Sequence, residues 1–237
     1  MPKKKLYIPS QKEKFTISRT NIQSYLECQK CFYLNLVKGI KHPPGFPLAL
    51  NMAIDSILKK EFDFYREAKK PHPNFNEKIN NSLFPYSGDE FYDWRKSAKI
   101  FHKETNFEVL GKFDDIWSNE DQSKLYLADY KSGTINAEGT NTLNQSYKNQ
   151  MDIYFWIAKQ LDSRFENKSF FYYQKLKKEN SMSDSKFITF ILEYNADDHW
   201  VEKTLVDIKK LLDSKSIPNQ NDNCAYCKYV DEIKEKS

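Results

Sequence analysis

The sequence predicts a mixed α/β fold, a mixed central sheet flanked by helices, and three observations carry that prediction. Apolar residues recur at helical spacing through the N-terminal third. The pattern changes to strand-like runs between Ala98 and Lys131. A helical stretch, two β-rich runs and a last helical stretch then follow in that order.

The elements are justified from the start of the chain. Residues 1–14 carry Lys3, Lys4, Lys5, Lys12 and Lys14 and are expected to form a flexible basic arm, leaving 15–237 as a single domain. Ser18 or Thr20 can cap a helix that places Ile22, Tyr25 and Leu26 at helical spacing, and Pro43-Pro44-Gly45 ends that unit. A longer amphipathic helix is expected from about Pro47 to Arg66, with Leu50, Ile54, Ile57 and Glu61 tracking one face. Residues 67–97 hold Pro71, Pro73, Pro85 and Gly88 and read as irregular, with a short helix near Glu90–Lys96. Strands are expected over Ala98–Glu104, Phe107–Trp117 and Lys124–Lys131, the last two joined by the polar loop Ser118–Ser123. Beyond the polar loop Ser132–Gln145 comes a helix over Ser146–Leu161, with Ile153, Trp156, Ile157 and Gln160 in register. The runs Ser169–Lys175 and Phe187–Tyr194 and a helix near Ala196–Asp213 complete the order.

Composition bounds the function. A chain of 237 residues can bury a full core, and 30% charged with 15% aromatic residues suits a folded protein. The 37 basic and 33 acidic residues leave +4, a surplus that permits a nucleic-acid partner without demanding one. The basic start, Met1 to Lys5, is not followed by the apolar run of a secretory signal. No stretch of about 18 apolar residues offers a membrane-spanning helix, so the expected location is cytoplasmic.

Three short pieces carry the chemistry: Gly111-Lys112-Phe113-Asp114, then Asp129-Tyr130-Lys131, then Gln150 with Tyr154. If the two strands pair through Ser118–Ser123, Asp114 and Asp129 come together. Alternation puts Asp129 and Lys131 on one face of their strand, and Gln150 and Tyr154, four apart, share a helix face. Two carboxylates suit a hard divalent cation such as Mg²⁺ or Mn²⁺, which acidifies a bound water and neutralises phosphate charge. A lysine beside them can orient or deprotonate that water, or stabilise the transition state as a positive charge. Gly-x-x-Asp or Asp-Tyr-Lys alone is common; their ordered combination on elements of the right type is specific.

This series resembles the RecB-type branch of the PD-(D/E)XK nuclease superfamily, whose signature runs G-x-x-D, D-Y-K-T-G, Q-x-x-x-Y. Here it reads Gly111 to Asp114, Asp129-Tyr130-Lys131-Ser132-Gly133, and Gln150 with Tyr154, within a match from about Thr16 to Tyr229. The resemblance implies a restriction-endonuclease-like core, with metal ligation by Asp114, Asp129 and the Tyr130 carbonyl. It makes Lys131 the catalytic lysine, and has Gln150 and Tyr154 contact the substrate backbone or support the site. Relatives often place a histidine ligand on the first long helix. This chain has Asp55 in Asn51-Met52-Ala53-Ile54-Asp55, either a replacement metal ligand or a solvated carboxylate paired with Lys59.

All four cysteines fall in two C-x2-C pairs, Cys28/Cys31 and Cys224/Cys227, the spacing of metal ligands. Disulfides are disfavoured in a cytosolic chain. One metal centre would join the N- and C-terminal segments. Spacing alone suits a structural Zn²⁺. The resemblance, which extends to the CRISPR-associated four-cysteine exonucleases, implies a [4Fe–4S] cluster, although those relatives commonly have one early cysteine and three late ones. Iron–sulfur is the expected cofactor, with zinc as the alternative.

The expected function is a metal-dependent nuclease that hydrolyses phosphodiester bonds of DNA in repair, recombination or processing. The alternatives are a catalytically idle metal-stapled module that binds DNA or a partner, and a nuclease of CRISPR spacer processing. Lys112, Tyr147 and Lys148 are further candidates for contact with phosphates or bases.

Overall fold

The computed structural model describes residues 5–43, 45, 48–79, 82–88, 95, 97–134, 143–177, 179–181 and 183–236. Apart from Arg95, the short helix expected near Glu90–Lys96, and most of the Ser132–Gln145 loop, lie outside the described residues. In chain order the elements begin with β1 (Phe15–Ser18), α1 (Arg19–Glu27), α2 (Gln29–Val37), α3 (Ala49–Glu67), α4 (Pro73–Lys78) and β2 (Phe84–Pro85). Next come β3 (Ala98–His102), β4 (Phe107–Gly111), β5 (Asp115–Ser118), β6 (Leu125–Thr134) and α5 (Gln145–Leu161). The last are β7 (Phe165–Lys177), β8 (Lys186–Asn195), α6 (His199–Asp213) and α7 (Ala225–Lys236). The chain divides into two units, residues 1–46, 99–110 and 199–237 in one, 47–98 and 111–198 in the other, so the stretch expected as one domain contributes to both. Among the described residues no helix is long and apolar enough to cross a membrane.

In the first unit Ser18 starts α1 as its residue type favours. Its hydroxyl accepts the Asn21 N–H, and the Asn21 side chain accepts the Ser18 N–H, a reciprocal cap. The helix stops at Cys28, whose backbone is extended (φ −160°, ψ 109°), and α2 restarts one residue later. β1 lies parallel to β4 in a sheet of order β1-β4-β3, with Phe15 opposite Phe107 and Ile17 opposite Val109, all four buried. The described part of the basic arm is docked there: Tyr7 is buried, its N–H donates to the Leu36 carbonyl, and its hydroxyl donates to Asp213. Its ring meets Phe15 edge-on at 5.1 Å.

The second unit is built on a sheet of order β2-β5-β6-β7-β8. β6 and β7 are parallel and are connected through α5, while β5 and β8 pair antiparallel to their neighbours, giving the mixed sheet. One sheet face presents Trp117, Ala128, Tyr130, Phe170 and Tyr172 to Leu58 and Phe62 of α3 and Phe75 of α4. α5 packs on β6 and β7 and buries Met151, Ile153, Trp156 and Ile157.

Three expectations change. The buried face of α3 is Leu58 and Phe62, not Leu50 and Ile57, which are exposed; Ile54 is partly buried. An aromatic sheet face selects the aromatic, and Phe62 stacks on Trp117 at 5.6 Å. Residues 67–97 are not wholly irregular, because Pro73 occupies the first turn of α4 and the His72 ring accepts the Asn74 N–H. The single strand expected over Phe107–Trp117 is two strands in two sheets, interrupted at Lys112–Asp114. At the break the Asp114 carbonyl accepts from Arg95 Nε (3.2 Å) and its carboxylate accepts from the Tyr130 N–H (3.1 Å), so that residue's bonds leave the regular ladder.

Candidate active site and cysteine centre

Alternation along β6 sorts its residues between the two sides of the sheet. Ala128 and Tyr130 enter the core under α3, whereas Asp129 and Lys131 turn to α5. There Gln150 joins them: its amide nitrogen donates to Asp129 Oδ1 at 2.6 Å, and its amide oxygen accepts from Lys131 Nζ at 3.2 Å. Lys131 also forms an ion pair with Asp129 Oδ2 and lies 4.5 Å from the centre of the Tyr147 ring. Asp129 is fully buried. Burial pushes its carboxyl up, Lys131 pulls it back and nearby Asp114 raises it, leaving it at about 7.

Asp114 sits at the break between strands. One carboxylate oxygen takes the Tyr130 N–H, and the other lies 2.9 Å from Lys59 Nζ. Lys59 in turn lies 2.9 Å from Asp55 Oδ2 one turn earlier on α3. Asp55 is therefore joined to Asp114 through an ammonium.

Tyr154 lies one helical turn beyond Gln150 on α5. It is buried, with its ring edge-on to Phe113 at 5.2 Å. Its packing explains the glycine of the first motif. A Cβ on Gly111 would stand 2.9 Å from Ile157 Cδ1 and 3.2 Å from the Tyr154 ring, so α5 approaches this closely only because Gly111 has no side chain. Of the further candidates, Lys112 is exposed and Lys148 half-buried, while Tyr147 serves as the aromatic floor of Lys131.

A protein-family comparison matches residues 49–231 to the model of the PD-(D/E)XK nuclease superfamily. The chain belongs to that superfamily. Among curated proteins none matches it by sequence. Members of the PD-(D/E)XK superfamily are generally phosphodiesterase nucleases that use divalent metals. The donor set here fits such an ion: two carboxylates, Asp129 on β6 and Asp114 just before β5, hard oxygen ligands, one of them buried and held up near neutrality partly by the other's charge. A dication between them would relieve both burial and repulsion.

Sequence reasoning overlooked what stands behind this PD-(D/E)XK site. Asp115, next to Asp114, is fully buried on the core side, where it pairs with Arg66 and accepts the Tyr130 hydroxyl hydrogen. Burial pushes its carboxyl up against the pull of Arg66 and Arg95. Arg95 further pairs with Asp63 at 2.6 Å. The Asp114-Asp115 dipeptide was the available signal: consecutive carboxylates on a strand point to opposite sides, so one must find cations in the core.

The cysteines gather in the first unit. Cys28 and Cys31 lie at and just inside the start of α2, and Cys224 and Cys227 at the start of α7. Their sulfurs lie within 4.8 Å of one another, with Cys31 3.6 Å from Cys224 and 3.5 Å from Cys227, and Cys28 3.9 Å from Cys227. None is in a disulfide. Burial would raise the Cys28 thiol, yet backbone N–H groups of Asn221 and Cys31 bring it down to about 7. Burial pushes Cys227 up to about 11, and Cys31 higher. Thiols packed this closely cannot all ionise without a cation among them, so the set fits a bound metal.

Proposed function

We propose that the chain is a Mg²⁺- or Mn²⁺-dependent deoxyribonuclease of the RecB-type branch, hydrolysing phosphodiester bonds in DNA repair, recombination or processing. The observation that carries it is the set Asp114, Asp129, Lys131 and Gln150, in which a buried carboxylate and a lysine share one glutamine. Asp114, Asp129 and the Tyr130 carbonyl would hold the ion. When bound, that ion supplies Lewis acidity to the phosphate and acidifies a water. The Lys131 ammonium would donate a hydrogen bond to the oxygen of the attacking water, orienting it, and place positive charge beside the phosphoryl oxygens as negative charge builds on them. Gln150 fixes both Asp129 and Lys131 and leaves their spacing independent of side-chain drift. Tyr154 would position α5 rather than touch substrate. An idle binding module has no use for this combination, because a buried acid near neutrality beside an acid and a lysine is costly unless it does chemistry.

The test is labelled single- and double-stranded DNA with purified protein, with Mg²⁺, with Mn²⁺ and with chelator. Cleavage that requires the cation and is lost in Asp129→Ala is expected. Intact DNA under every condition would leave the binding-module reading.

For the cysteine centre, sulfur spacing favours the zinc alternative over the iron–sulfur cluster expected from the resemblance. A tetrahedral ion about 2.3 Å from each sulfur sets them about 3.8 Å apart. Three of the separations, 3.5, 3.6 and 3.9 Å, lie near that value, and all four sulfurs are within 4.8 Å of one another. Sulfurs around a four-iron cube stand farther apart, on the order of 6 Å. Colourless protein with one equivalent of zinc is expected; brown anaerobic protein absorbing near ~400 nm would restore the cluster.

A further inference from the structure

Resting on that reading of the acidic site, we infer that Lys59 is a built-in cation that takes the place of a second divalent ion and limits the site to one metal. Lys59 Nζ is 2.9 Å from Asp55 Oδ2 and 2.9 Å from Asp114 Oδ1, so it bridges a carboxylate of α3 and the carboxylate just before β5. That bridging position is the one a cation shared by Asp55 and Asp114 would take. A Mg²⁺ there needs oxygens at about 2.0–2.1 Å, which leaves no room for an ammonium.

The lysine is held in place by its own helix. Asp55 and Lys59 are one turn apart on α3, the spacing at which such pairs meet, and the Lys59 side chain is only 28% exposed. Moving it out would break two ion pairs and expose its stem. Meanwhile Asp114 Oδ2 accepts from Tyr130, whose strand neighbour is Asp129, so this carboxylate divides its oxygens between Lys59 and the β6 side. Asp55 therefore serves Lys59, and only the Asp114–Asp129 side is left for a metal.

Charge points the same way. With Asp55, Asp114 and Asp129 all ionised, as a bound cation requires of Asp129, they face Lys59 and Lys131, which leaves one negative charge uncompensated. One dication turns that into a net positive site able to receive a phosphodiester. A second would overload it, and Lys59 already supplies the charge at that position without needing to be recruited from solution.

The experiment counts Mn²⁺ ions by titration, using electron paramagnetic resonance for free ion and calorimetry for stoichiometry, on the full chain with its cysteine centre as purified. The wild type is expected to bind one ion that is lost in Asp129→Ala, and Asp55→Ala still to bind one. Lys59→Met should bind two, and Lys59→Met with Asp55→Ala should return to one. If the methionine variant does not fold, Lys59→Gln, which removes the charge but keeps a donor, gives the same count. Two ions in the wild type, or one in both Lys59 variants, would overturn the inference while leaving the nuclease reading intact. Failure of that reading has a different signature: no Mn²⁺ bound, or binding unchanged in Asp129→Ala.

Discussion

Asp129 concentrates the physics of the site in one side chain. It is buried, repelled by Asp114, attracted by Lys131 and fixed by Gln150, and its carboxyl stands at about 7. The sign of the resulting pH dependence follows directly. A metal binds the carboxylate, so below pH ~7 a proton must leave before the ion can enter. Apparent Mn²⁺ affinity should therefore fall about tenfold per pH unit below that point and level off above it, with proton release detectable by calorimetry in buffers of different ionisation enthalpy. An affinity flat from pH ~5.5 to ~8 would show that Asp129 is not a ligand. At this scale Asp114, Asp129, Lys131 and Gln150 were legible because a strand's alternation and a helix's turn fix such neighbours locally. The Lys59–Asp55 pair, one helical turn apart, was legible as well. The bond from Lys59 to Asp114 and the partners of Arg95 and Asp115 were not: those lie far along the chain, and nothing in a lysine's or arginine's own surroundings in sequence says which distant carboxylate it will meet.

Elements carry these residues, and their fit sets how well the site is held. Gly111 meets α5 with no space for a methyl group, so Gly111→Ala must push back Ile157, Tyr154 or the helix. We expect a loss of about 1–3 kcal/mol in denaturant unfolding and a fall in cleavage rate, since α5 also carries Gln150. Unchanged stability would mean that the helix has slack, and the close packing would then not explain the motif's glycine. The start of α1 at Ser18 and the extent of α5 were readable, because caps and apolar period are local signals. The buried face of α3 was not. Leu50 and Ile57 are as apolar as Leu58, and what chose the other face was an aromatic sheet surface assembled from Trp117, Phe170 and Tyr172. The change of sheet at Lys112–Asp114 was hidden for a similar reason: an apolar run looks the same whether it stays in one ladder or crosses to another.

On the scale of the whole molecule, the cysteine centre joins residues 196 positions apart, Cys31 with Cys227. Confining a loop of that length is worth on the order of 5 kcal/mol in chain entropy. Cys28→Ser should remove the metal and lower Tm by roughly 10–20 °C, read by differential scanning calorimetry alongside metal analysis. Melting at the wild-type temperature with full metal content would show that the four sulfurs do not share one site. This long-range pairing was visible in the sequence because cysteine occurs nowhere else, and two C-x2-C pairs have few other partners to find. The active site and this centre lie in different units, so damage to each can be measured separately. The most direct test of the central claim, that this PD-(D/E)XK chain cuts DNA with Lys131 beside a metal held by Asp114 and Asp129, is the single-turnover cleavage rate of Lys131→Ala with saturating Mn²⁺. A drop of roughly 100-fold or more, with the fold and Mn²⁺ binding retained, is the result predicted. Cleavage at the wild-type rate would contradict it.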